Sequence, residues 1–91
     1  MQQAHVFIEG RVQGVGFRHF ARVNAKEVGV FGWIKNLPDG RVEAVLAGPI
    51  DHIREMVNRF EQGPGASRVD HIDVELEEAD QEYSTFEIRY Y

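Results

Sequence analysis

An α+β sandwich, one antiparallel sheet carrying two helices on the same face, is the fold class that the sequence predicts. Three observations predict it. Five segments alternate apolar and polar residues with a period of two, and two others repeat apolar residues at helical spacing. Their order is strand, helix, strand, strand, helix, strand, with a short strand added at the end. The length of 91 residues suits a single domain over 1–91. A composition of 43% hydrophobic and 11% aromatic residues is apolar enough to build one core and too apolar for a disordered segment.

The elements follow in order. From Ala4 to Gly10, Val6 and Ile8 point one way and His5, Phe7 and Glu9 the other, as in a half-buried strand. A glycine-interrupted stretch leads into a helix near Phe17, where Phe17, Ala21, Asn24, Ala25 and Val28 recur at helical spacing and Gly29 suits the C-cap. Val30 to Asn36 reads as a second strand, with Val30, Gly32 and Ile34 on one face. Pro38-Asp39-Gly40 is a turn, and Val42, Ala44 and Leu46 alternate through Arg41–Gly48, so these two strands form a hairpin.

Pro49 suits the first turn of a second helix with an apolar stripe of Ile50, Ile53, Val57 and Phe60, stopped by Gly63-Pro64-Gly65. A fourth strand is expected over about Val69 to Leu76, with Ile72, Val74 and Leu76 facing the core. After an acidic stretch from Glu75 to Glu82, Phe86, Ile88 and Tyr90 alternate as the last strand. This is the split β-α-β order of ferredoxin-like sandwiches, and right-handed crossovers place the first and third strands side by side at the centre.

Composition removes several functions. With no cysteine there is no disulfide scaffold, thiolate nucleophile or cysteine-ligated metal, and a reducing cytoplasm is the expected compartment. Ten basic against fifteen acidic residues give a net charge of −5, which disfavours binding to nucleic-acid backbones. The first residues lack a charged and apolar leader, and no apolar run reaches the ~18 residues of a membrane span. No membrane or nucleic-acid partner is expected, and the chain is expected to act as a monomer.

One segment carries chemistry. Gly10-Arg11-Val12-Gln13-Gly14-Val15-Gly16-Phe17-Arg18 joins the first strand to the start of the first helix. Its three glycines let the backbone curl with N–H groups inward, and a helix N-terminus adds partial positive charge. Arg18, in the first helical turn, can grip two oxygens of a phosphate with its planar fork. Glycines alone would suggest only a tight connection, and the nucleotide motifs do not fit. His19 stands where a dinucleotide fingerprint needs its third glycine, and no Lys-Ser or Lys-Thr pair completes a P-loop.

Ile8-Glu9-Gly10-Arg11-Val12-Gln13-Gly14-Val15-Gly16-Phe17-Arg18 resembles the first signature of the acylphosphatase family. Gly32-Trp33-Ile34-Lys35-Asn36, followed by Gly40, Val42 and Gly48, resembles the second. The resemblance implies hydrolysis of a small acyl phosphate to a carboxylate and phosphate, with no metal and no cofactor. It places the family's catalytic arginine on Arg18, its catalytic asparagine on Asn36, and its phosphate cradle on the backbone of Gln13, Gly14, Val15, Gly16 and Phe17. Two positions depart from the pattern. Gly16 replaces a bulkier residue, which would loosen the loop, and Ile34 is larger than usual.

That chemistry agrees with the residue types. An acyl phosphate departs as a carboxylate, a weak base, so no general acid is needed. Positioning and electrostatic stabilisation of the phosphoryl group remain. A neutral amide can orient a water by donating and accepting hydrogen bonds. By spacing alone Asn36 would be a turn residue capping Leu37–Gly40; beside the first motif it is the candidate water holder.

Other side chains carry less. His5, His19, His52 and His71 lack metal-ligand spacing, although His19 could reach a pocket rim. Lys35 and Arg11 could add positive potential near the cradle, and Asp39 fits a turn. The cluster Glu75, Glu77, Glu78, Asp80 and Glu82 reads as a solvated segment, and Ser67 and Ser84 lack triad partners.

The sequence admits two further readings. One is an RRM-like nucleic-acid module with Phe7, Phe31 and Trp33 on an open sheet face, set against by the charge and by a third strand without aromatics. The other is a non-catalytic anion- or carbamoyl-phosphate-binding domain, since the first motif also resembles the N-terminal domain of hydrogenase-maturation carbamoyltransferases. Those chains are far longer, so a free-standing enzyme is expected.

Overall fold

Alternation along β1 (Gln2–Arg11) sends Ala4, Val6 and Ile8 into the core, all three fully buried. The structure, a computed structural model, describes residues 1–90. α1 (Phe17–Val28) follows and ends at Gly29, whose left-handed φ of 89° lets its N–H reach the Ala25 carbonyl at 2.8 Å. The hairpin of β2 (Phe31–Asn36) and β3 (Val42–Ala47) comes next, then α2 (Ile50–Gln62), β4 (Arg68–Glu78) and β5 (Phe86–Arg89). The strands form one sheet in the order β4-β1-β3-β2-β5, with β1 and β3 adjacent at its centre as expected. Ala4, Val6 and Ile8 stand opposite Leu46, Ala44 and Val42, and this apolar strip receives both helices. Phe17, Ala21 and Ala25 of α1 and Ile53, Met56 and Phe60 of α2 close the core, the Phe17 and Phe60 rings 5.6 Å apart. No helix among the described residues is long and apolar enough to cross a membrane.

Several expectations are corrected. The sheet is mixed rather than antiparallel, because β5 pairs parallel to β2. β4 lies at one edge, and the connection after it crosses to the opposite edge, so the last strand runs alongside β2. Val74 and Leu76, expected in the core, are 44% and 52% exposed. They sit on an edge strand with a neighbour on one side only, and α2 covers them incompletely. Ile50, in the first turn of α2, is exposed for the same reason, while Met56, absent from the expected stripe, is fully buried. Pro49 is the N-cap of α2 rather than part of its first turn. Asn24 is half-buried and polar-bonded: its amide donates to the Phe20 carbonyl and accepts from Arg59 of α2 at 2.9 Å.

Gly32 marks where two strands approach closely. Its φ is 131°, and a Cβ there would collide with the Val45 carbonyl of β3. Gly32→Ala should therefore destabilise the protein by about 2 to 4 kcal/mol, combining backbone strain with overpacking. Denaturant unfolding checks this, and a loss below about 0.5 kcal/mol, the range of neutral surface changes, would refute it.

The topology gathers one end of the molecule. β1 and β2 are both antiparallel to β3, and β5 is parallel to β2, so all three run in the same direction. Their C-terminal ends, and the N-terminus of α1 that follows β1, therefore meet at one end of the sheet.

Candidate active site

At that end the chain turns from strand to helix through residues 12–16. Gly14 and Gly16 take left-handed φ values of 72° and 79°, conformations that side chains with a Cβ rarely adopt. Nothing lies within 4 Å of a Cβ built at either, so conformation and not crowding calls for glycine. Gly16, unusual against the family pattern, is the N-cap of α1. The helix starts with no side-chain cap and no acidic residue in its first turn. The first intrahelical bond runs from Phe20 N–H to the Gly16 carbonyl at 2.9 Å. The amides of Phe17, Arg18 and His19 precede it and belong to the helical donors that have no intrahelical partner. Together with the helix dipole they favour an anion.

A pocket of about 170 Å³ opens here, lined by Val12, Gly14, Gly16, Phe17, Arg18, His19, Asn36, Ile88 and Tyr90. Larger grooves exist, such as one of about 360 Å³ between α2 and β4, whose charged lining includes Glu61 and Asp70 beside His71. Arg18 is half-buried, with its guanidinium 4.9 Å from the centre of the Tyr90 ring. This cation–π contact orients the arginine without neutralising it. Among the described residues Arg18 makes no salt bridge.

Asn36 reaches the same pocket from the end of β2. Its amide oxygen is buried and has no hydrogen-bond partner among the described residues. The turn is served by another residue. Asp39 accepts from the Arg41 backbone N–H at 3.0 Å and from the Arg41 guanidinium at 2.8 Å. That backbone bond, aided by the guanidinium, holds the Asp39 carboxyl below its ordinary pKa. Asn36 is thus not the residue that closes the hairpin.

Of the residues singled out by sequence, Arg18, Asn36, Gly14, Gly16 and Phe17 meet at this pocket, and Phe17 keeps its ring in the core. Val15 packs partly buried against the core, and the Gln13 side chain turns away to bond the Leu37 and Arg41 carbonyls, each at 2.8 Å. His19 does reach the rim while remaining exposed. Lys35 does not serve the cradle: it lies 3.8 Å from Glu43 and 5.5 Å from the Trp33 ring centre. Arg11 is exposed and absent from the lining.

Val12, Ile88 and Tyr90 were missed as pocket residues. Ile88 and Tyr90 show only strand alternation in the sequence, and the parallel placement of β5 beside β2 brings them in.

One histidine joins two carboxylates. Glu9, His71 and Asp73, all exposed, bring ligand atoms within 4.8 Å of one another and could offer a metal three donors. None of them lines the pocket. Phe7 and Trp33, candidates for base stacking, are engaged within the protein. Phe7 lies beneath Arg41 at 4.8 Å and against His5, while Trp33 is 9% exposed with Lys35 and Arg89 over it.

Fold and pocket together define a small α+β sandwich with an anion-receptive strand-to-helix loop. Residues 4–88 match the acylphosphatase family model. The chain is 51% identical over 88 residues to an acylphosphatase of Roseiflexus sp. (strain RS-1), covering 97% of this chain and 95% of that one. The crystal structure of acylphosphatase from Bacillus subtilis superposes with a TM-score of 0.95 at 37% identity, covering 99% of this chain and all of that one. An acylphosphatase from Coxiella burnetii gives 0.91 at 36% identity, covering 97% of this chain and 92% of that one. The chain belongs to the acylphosphatase family of enzymes.

Proposed function

We propose that the protein hydrolyses small acyl phosphates at the pocket between α1, β2 and β5. One observation carries this reading: Asn36, whose buried amide oxygen bonds no described residue, lines the same small pocket as the uncapped start of α1 and Arg18, which makes no salt bridge among the described residues. The backbone from Gln13 to Phe17 and the Arg18 fork hold the phosphoryl oxygens. Asn36 accepts a hydrogen bond from a water and aims its lone pair at phosphorus. The water oxygen bonds to phosphorus as the phosphorus–acyl oxygen bond breaks, and the electron pair of that bond leaves on the carboxylate. Both water hydrogens end on the phosphate product or in solvent, so an acyl phosphate dianion and water become a carboxylate and dihydrogen phosphate. Preorganised charge and positioning supply the rate enhancement, as in phosphoryl transfer generally.

In the same reading residues 1–91 work as one domain, as a cytoplasmic monomer, with no metal or cofactor and no nucleic-acid partner. The weak basicity of the leaving carboxylate supports a reaction without metal, and the net charge of −5 supports the last point.

The test is hydrolysis of acetyl and benzoyl phosphate in excess chelator. Full activity is expected, with inorganic phosphate inhibiting competitively because the cradle holds product as well as substrate. Loss in EDTA with rescue by a divalent ion, or purely noncompetitive phosphate inhibition, would overturn the mechanism.

A further inference from the structure

The parts of the proposed site come from two separate pieces of chain. The cradle and Arg18 belong to the loop between β1 and α1, while Asn36 belongs to the β2–β3 hairpin. The Gln13 side chain joins them. Its amide nitrogen donates to the Leu37 carbonyl and the Arg41 carbonyl, both at 2.8 Å. These two carbonyls flank the mouth of the hairpin, where the Leu37 N–H also bonds the Arg41 carbonyl at 2.8 Å. Both hydrogens of one side-chain amide are thus used to hold the cradle loop against the residue next to Asn36. The turn beyond needs no such help, being closed by Asp39 and by the Gly40 N–H on the Leu37 carbonyl at 3.2 Å.

We propose that Gln13 is a positioning residue for the attacking water, acting through Asn36: its side chain sets the distance between the phosphate cradle and the Asn36 amide. This rests on the water-holding reading of Asn36. Its backbone contribution to the cradle is a separate role, and substitution of the side chain leaves the peptide group in place. An in-line attack tolerates little error, since a displacement of about 1 Å can cost about 10²-fold in rate. A group that only braced the loop would weaken phosphate binding and turnover together; a clamp on Asn36 affects turnover alone.

A double-mutant cycle with Asn36→Ala provides the test. Gln13→Ala alone should lower kcat on benzoyl phosphate by about 10- to 10²-fold, with the phosphate inhibition constant within about 2-fold of wild type. In the Asn36→Ala background the same change should alter kcat by less than about 2-fold, because the group being positioned is gone. Gln13→Met, which keeps the length and volume but has no donor, should behave like Gln13→Ala; it also serves where the alanine variant does not fold. Full kcat in Gln13→Met, or losses that add in the double variant, would overturn the clamp while leaving the role of Asn36 intact. Full kcat in Asn36→Ala by itself would defeat both.

Discussion

Replacing Arg18 with alanine should lower kcat/KM for acyl phosphates by at least about 10³-fold, the scale on which a single arginine acts in phosphoryl transfer. Arg18→Lys should recover little, remaining at least about 10²-fold below wild type. Lysine keeps the charge but not the fork, and a compact ammonium cannot donate to two phosphoryl oxygens at once. The Tyr90 ring lies 4.9 Å from the guanidinium carbon, a contact that favours a flat, delocalised cation. It gives an ammonium on a flexible stem much less orientation. Both substitutions should also raise the inhibition constant of inorganic phosphate by about 10-fold or more, since hydrogen bonds to a charged group are worth about 1.5 to 3 kcal/mol. Steady-state kinetics with phosphate as inhibitor, read beside thermal melting, decide the matter. An Arg18→Lys enzyme with near-native kcat/KM would remove the bidentate grip from the mechanism.

Asn36→Ala separates turnover from binding. Its kcat should fall by about 10²- to 10³-fold, the effect of deleting one preorganised polar group. The phosphate inhibition constant should stay within about 2-fold, because Arg18 and the cradle are untouched. Stability should change little, because the turn is closed by Asp39 and the Asn36 oxygen bonds no described residue. The melting temperature is expected to hold. A structural turn asparagine predicts the reverse pair of results, with stability lost and kcat retained, and that outcome would end the water-holding role.

Much of this was open to reading along the chain because it depends on neighbours in sequence. Val6 with Ile8 and Ala44 with Leu46 show their burial by alternation alone, since a strand turns every second side chain to the same face. Gly14, Gly16 and Arg18 sit within five residues of each other, so their shared loop and helix start mark a candidate anion site before any folding is known.

Coverage was harder to read than pattern. Val74 and Leu76 obey the period of a core strand yet stand 44% and 52% exposed, because period tells which face a residue takes and not whether anything covers that face. Tyr90 gave no sign of a role, and Gln13 entered as backbone only. Its side-chain partners lie 24 and 28 residues further on.

By itself, then, the order of amino acids determined the element sequence, the central pairing of the first and third strands, the glycine-rich loop and the candidate polar residues Arg18 and Asn36. These follow from local backbone preference, periodicity and short motifs. Tertiary structure alone decided that β5 runs parallel to β2 and brings Tyr90 beside Arg18, that Asp39 closes the turn, and that the Gln13 side chain bonds the β2–β3 hairpin. Each of these is a meeting of groups set by how strands are arranged in space, and side-chain spacing along a chain holds no record of which distant carbonyl or ring will stand opposite.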